Sequence, residues 1–446
     1  MKSIYKCCKI VWSKGEIMKR MGIVLVGIVL VIGCIFLFNQ KDTKEILITE
    51  EQELDNTSLV FMLQDEEGNY HKSDTLPSTG YTFNTSKSIC SNNATPTWED
   101  NRLYLNNLTK NGTSCYLYFD KKPMAMNTIL ANKTIDDSRN GAITGTLTTN
   151  TTGTVYSVAD DWGTSYVYAG APTDNWVSFA GFYWRIIRIN GDGSIRMIYA
   201  GTSMTTTGTD DQIGTSAYNS LPNDNAYVGY MYGSTGQSSY SATHANNNNS
   251  TIKGILDTWY ENNLLDDYAQ YISTEAGFCN DRSLNTTNET WWGSDTKLGY
   301  GTNATAYGSF GRLLLNGNYR TSQNPSLICS QTNDLFTVSG SSKGNNALDY
   351  PIGLITADEV VLAGGFGGSS NNSYYLHTGE YYWTMSPYSV YMGGFAYVFI
   401  VSSDGSFGNY NVDLANGVRP VINLKADVTI TGEGTSDDPY VVEGAM

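Results

Sequence analysis

The residues of this chain whose types could do chemistry are its three histidines, its seven cysteines, a set of adjacent aspartates and a large store of aromatics. His71, His244 and His377 each stand alone in polar surroundings, and no H-E-x-x-H or C-x-x-C pattern accompanies them. A zinc site or a nucleophile with its base needs patterned partners, so all three are expected on solvated surface. Asp136 and Asp137, Asp160 and Asp161, Asp210 and Asp211, Asp266 and Asp267, and Asp437 and Asp438 could each offer oxygens to calcium. Calcium takes about six to eight oxygens from convergent positions, and none of these pairs has the Asp-x-Asn-x-Asp spacing of a loop site. No cofactor is therefore expected, with calcium chemically admissible but unplaced. Nor does any spacing single out an acid and a base for paired-carboxylate hydrolysis. Gly364-Gly365-Phe366-Gly367-Gly368 follows an expected helix instead of preceding one, so it presents no N-terminal amides to phosphate and reads as a flexible loop.

The aromatics remain. Thirty-two tyrosines in 446 residues suit a recognition surface, because tyrosine joins a flat apolar ring to a polar tip at low entropic cost. Tyr374, Tyr375, Tyr388, Tyr391, Phe395, Asn409 and Tyr410 are interleaved with Ser, Asn and Gly in turn-rich segments, and these seven are the candidate ligand-binding residues. The competing reading makes half of them ordinary core or cross-strand residues. Trp291-Trp292, in a polar stretch, is a second candidate.

These residues must be positioned by two folded regions. Residues 57–121 carry short apolar and aromatic runs at 59–63, 81–83, 102–105 and 114–119, which predict a small Ig-like β-sandwich acting as a spacer. So small a unit buries little core, and a bridge between Cys90 and Cys115 would add on the order of 3 kcal/mol by restricting the unfolded chain. Residues 122–150 read as a Thr-, Asn- and Gly-rich linker. Beyond it, 182–189 and 194–199 predict a hairpin through Asn190-Gly191-Asp192-Gly193, whose Asn-Gly and Asp-Gly steps supply positive φ. Ser250 or Thr251 can cap a helix with Ile252, Ile255, Leu256 and Trp259 on one face, and Thr356-Ala357-Asp358-Glu359 is a capping box. Residues 277–350 are irregular and hold Cys279 and Cys329, a natural staple whose pairing the sequence leaves open. Strands are expected again at 381–386, 395–401, 407–412 and 417–424, with a terminal hairpin in 428–446.

The N-terminus sets an expected location. Residues 21–38 are uncharged and follow a basic segment, 1–20. A helix of this run would be roughly 27 Å long, close to a bilayer's hydrocarbon thickness. A single-pass transmembrane helix is expected, with 1–20 cytoplasmic, 39–56 a connector and the remaining domains extracellular. A lipoprotein signal ending at Cys34 and a simply cleaved signal are the alternatives. The chain's net charge of -16 with only 16% charged residues argues against nucleic acid or anionic lipid, which need clustered Lys and Arg.

The expected hairpin and two helices, together with Tyr381-Tyr382-Trp383-Thr384-Met385-Ser386-Pro387 and Gly417-Val418-Arg419-Pro420-Val421-Ile422-Asn423-Leu424, resemble a bacterial domain family in the C-type lectin-like superfamily. That superfamily includes the sulfatase-modifying (formylglycine-generating) fold and the Fibrobacter-type major paralogous domain. Leu354-Ile355-Thr356-Ala357-Asp358-Glu359-Val360 is similar to a helix start of the sulfatase-modifying group. The resemblance implies an α+β, C-type lectin-like domain over 151–427, with two helices, twisted antiparallel sheets and long irregular loops. In such folds the aromatic-rich C-terminal region forms the ligand face. No cysteine follows Cys329, so the oxidase chemistry of that group is not implied, and the calcium and sugar motifs of animal lectins are absent. The expectation is a membrane-anchored bacterial surface protein that binds an extracellular protein or carbohydrate without catalysis. A diverged enzyme of the sulfatase-modifying fold is the alternative, and packing in a surface layer a third reading.

Overall fold

A computed structural model describes residues 57–445 except 66, 78–79, 100–101, 109–111, 205–206, 237–238, 288–294, 316–317, 320–321 and 392–393. The expected basic segment, transmembrane helix and connector, and Trp291-Trp292, lie outside the described residues. Among the described residues no helix is long and apolar enough to cross a membrane. The longest of them has 13 residues, about 20 Å of helix against a hydrocarbon core of about 30 Å. The single-pass membrane localisation expected from residues 21–38 thus has no support here and is withdrawn.

The α+β, two-helix fold is also corrected. The structure is mostly β-sheet and only 14% helical. Two- and three-residue strands thread segments that sequence periodicity reads as loop, because so short a strand has no detectable alternation. The chain divides into two compact units, Met1–Lys121 and Lys122–Met446.

In the smaller unit, β1 (Thr57–Gln64), β2 (Tyr70–Ser73), β3 (Tyr81–Phe83), β4 (Ile89–Cys90) and β7 (Thr113–Lys121) form one sheet, while β5 (Thr95–Glu99) and β6 (Arg102–Asn106) form a separate hairpin. β1 and β7 run parallel. The hairpin covers the sheet: Trp98 lies 6.0 Å from the Phe83 ring and 5.6 Å from Phe119, and Leu103 is buried with them. A single sheet under a hairpin lid replaces the Ig-like pair of sheets. Cys90 sits opposite Cys115 in the β4–β7 register, and the two form a disulfide. Its 25-residue separation should make Cys90→Ser/Cys115→Ser less stable by about 3 kcal/mol in urea unfolding of this unit. A loss under about 1 kcal/mol would show that the hairpin and sheet hold without it.

In the larger unit, residues 122–150 are not a linker. They contain α1 (Ala125–Leu130), which buries Ala125 and Ile129, and β8 (Thr134–Asp136), which pairs parallel with β9 (Thr154–Asp160). The first sheet is organised around β12 (Phe182–Ile189). One of its neighbours is β13 (Ile195–Tyr199), while β11 (Trp176–Phe179) pairs with its first half and β10 (Gly163–Val167) with its end. The expected hairpin is present, closed by Asn190 and Ser194. The β11–β12 turn is tighter: Ala180 and Gly181 both have positive φ (57° and 77°), as a two-residue primed turn demands.

The second sheet is built on β14 (Tyr382–Tyr391), β15 (Phe395–Val401) and β16 (Phe407–Asn411), all antiparallel. The two sheets share one core with the helices. Ser250 caps α2 (Thr251–Asn263), which buries Ile252, Leu256 and Tyr260 but leaves Ile255 exposed. α3 (Ala357–Ala363) carries the expected capping box and ends at Gly364, whose φ of 121° disfavours any side chain. The glycine run after it is not a flexible loop through its first four residues: 364–367 are buried, and a Cβ on Gly365 would meet Val360 at 2.8 Å and the Tyr374 hydroxyl at 3.3 Å. At the C-terminus, Ile430–Thr431 and Tyr440–Val442 form the expected hairpin, and the latter joins β11 in parallel. Cys279 and Cys329 form the second disulfide. Such bonds persist in oxidising environments.

Candidate ligand-binding site

Charged residues lie inside the larger unit. Arg188 and Arg196 stand opposite each other in the β12–β13 register. Like charges so placed would repel, but Glu359, the third residue of α3, reaches both: Arg188 Nε donates to Oε1 at 2.9 Å and Arg196 Nε lies 2.6 Å from the same oxygen. Asp160 takes Arg188 Nη1 at 3.0 Å, which balances two cations with two anions. Burial pushes the Glu359 carboxyl up, yet Arg196 and Arg188 hold it below its usual value. Beside it, Arg312 grips Asp358 with two bonds of 3.0 and 2.9 Å and Asp281 with one of 2.6 Å. The cavity among these groups measures about 30 Å³, room for one water and no more. This network is structural.

A second cavity, of about 420 Å³, opens beside β11 and β12, within the usual size range for a small-ligand site. Its floor is Trp176, Arg185, Tyr374 and Tyr375, all buried. Its mouth carries the exposed polar side chains of Thr173, Asn372, Ser373 and Ser436, with half-buried His377 at the edge. Strand pairing puts Arg185 opposite Trp176. The guanidinium then lies 4.2 Å over the indole and 5.3 Å from the centre of the Tyr375 ring, within cation–π range of both. Nε donates to Asn175 Oδ1 at 2.7 Å and Nη2 to the Pro172 carbonyl at 2.9 Å. No carboxylate lies within ion-pair distance of Arg185 among the described residues. Burial pushes its pKa down to about 10.

The seven expected site residues do not form one face. Tyr374 and Tyr375 meet at this cavity. Tyr388 is core, packed edge-on against Phe310 at 5.1 Å and Phe399 at 4.9 Å. Tyr391 and Phe395 pair at the end of the β14–β15 hairpin, where Phe395 is exposed. Asn409 lies opposite Phe399, whereas Tyr410 lies opposite Val398, so alternation sends these two neighbours to opposite faces of the sheet. Tyr410 is exposed and pairs instead with Tyr381, 6.4 Å between rings. Periodicity could not foresee this division because it depends on strand register.

Arg185 and Trp176 went unmarked in sequence reasoning. The available signal was an arginine within the apolar run of β12, since a charge on a strand that dense in apolar residues must find a buried partner. The histidines divide as well. His71 is exposed beside Asp65, and His377 Nε2 donates to the Ser403 carbonyl at 3.1 Å. His244 is corrected: it is buried, its ring tilted against that of Tyr240 at 4.2 Å, with Nε2 donating to the Gly299 carbonyl at 2.9 Å. Among the described residues no three His, Cys, Asp or Glu side chains converge to hold a metal ion.

Compared with known proteins, the chain matches no family model, no curated protein and no solved structure.

Proposed function

We propose that this chain is a non-catalytic binding protein and that the cavity between β11, β12 and the 372–377 segment is its recognition site, with a glycan as the ligand. The observation that carries the reading is the composition of that cavity: a buried aromatic and cationic floor under a mouth of hydroxyl and amide groups. Hydroxyls, an amide and an imidazole around a pocket suit a ligand that is itself a dense array of hydroxyls. A flat protein surface would not enter a cavity of about 420 Å³.

Glycan-array binding by the full-length chain tests this. Ser373 is exposed at the mouth, so Ser373→Trp should obstruct the cavity without disturbing the core. Binding to the captured glycan should fall at least about tenfold while the unfolding midpoint stays unchanged. Capture of no glycan at all, or full retention of binding by Ser373→Trp, would remove the basis for the reading.

A further inference from the structure

The buried arginines separate by what neutralises them. Arg188, Arg196 and Arg282 are each paired with a carboxylate, as is the half-buried Arg312. Among the described residues Arg139 and Arg419 have none, but they are spent on backbone: Arg139 on the carbonyls of Val361 and Leu362 at the end of α3, Arg419 on those of Tyr199 and Leu376. Neither lines the large cavity. Arg185 is the exception that lines it, 5% exposed, with Nη1 given no protein acceptor among the described residues. A buried cation without a counter-charge is costly, and an anion arriving through the cavity would offset that cost.

Among the described residues no Asp or Glu side chain lines the cavity, and Asp174, next to Asn175 in sequence, is already paired with Lys133.

Resting on the glycan-binding reading, we propose that the ligand is an acidic sugar of the uronic-acid type, its carboxylate seated on Arg185 and its hydroxyls on the mouth residues. Contacts with the Trp176 and Tyr375 rings and hydrogen bonds to Asn175 and Pro172 hold the guanidinium, so the donor is already oriented when the ligand arrives.

Calorimetric titration of the full-length chain with tri-galacturonate, its methyl ester and neutral tri-galactose tests the proposal. The acid should bind about 10- to 100-fold more tightly than the ester or the neutral sugar, the range expected for hydrogen bonds to a charged group. Arg185→Met should erase that preference. Equal binding of the acid and its ester by the parent protein would overturn the anion assignment while leaving glycan binding intact. Binding of none of the three would overturn the acidic-sugar inference, and only an empty glycan array would add the failure of the binding reading itself. The comparison of acid with ester uses the parent alone, so it decides the matter even if Arg185→Met does not fold.

Discussion

Glu359→Ala should destabilise the larger unit by about 3–5 kcal/mol at pH 7, the cost of stranding buried charges when one partner of a buried ion network is removed. The loss is large because Glu359 serves two guanidiniums while Asp160 reaches Arg188 alone: Arg188 and Arg196 are both buried and face each other across the hairpin. Glu359 also accepts the Thr356 amide at 2.9 Å, so the variant opens the capping box of α3. The pH dependence has a definite sign. The folded-state pKa of Glu359 lies below its ordinary value of 4.5, so the stabilisation it contributes is present above that value and is lost as pH falls through the folded pKa. Urea unfolding of parent and variant at pH 7 and again at low pH should therefore show a gap that narrows with acid. A gap under about 1 kcal/mol at pH 7 would mean that the arginines find other acceptors and that the network is dispensable.

His244 should make the protein acid-labile in a window above the one set by Glu359. Burial pushes its pKa from 6.5 down to about 3, with Arg282 adding to the depression, while its bond to the Gly299 carbonyl opposes it. The folded protein thus holds a neutral imidazole where the unfolded chain takes up a proton. Stability is full above about pH 6.5 and falls by about 1.4 kcal/mol per pH unit below it, a loss of roughly 3 kcal/mol by pH 4. Among the described residues Nδ1 has no hydrogen-bond partner, so a second proton would enter an unsatisfied position. His244→Phe, which keeps an aromatic ring against Tyr240, should flatten the stability profile between pH 6.5 and 4. An unchanged slope in the variant would assign the acid sensitivity to other groups.

Several elements were legible in the sequence because their causes are local. The β12–β13 turn follows from Asn-Gly and Asp-Gly steps, the start of α2 from Ser250, and the capping box from Thr356 and Glu359 lying three residues apart. The two disulfides join cysteines that the sequence already grouped in space-limited segments. The site was less legible. Tyr374 and Tyr375 were marked for their composition, but so was Tyr388, which is core. Distinguishing them required knowing which ring meets Phe310 and which meets Arg185.

Residue types and short spacings by themselves determined the caps, the tight turns and the cysteines available for bridging, since each is settled by atoms a few bonds apart. Tertiary structure alone decided that the chain is mostly β, that the 122–150 segment belongs to the larger unit, that His244 is sealed from water, and that Arg185 faces a cavity without a carboxylate. The reason is the range of the interactions. The Arg188–Glu359 pair spans 171 positions, and a charge is satisfied or stranded by whatever the fold brings beside it, which no local pattern records.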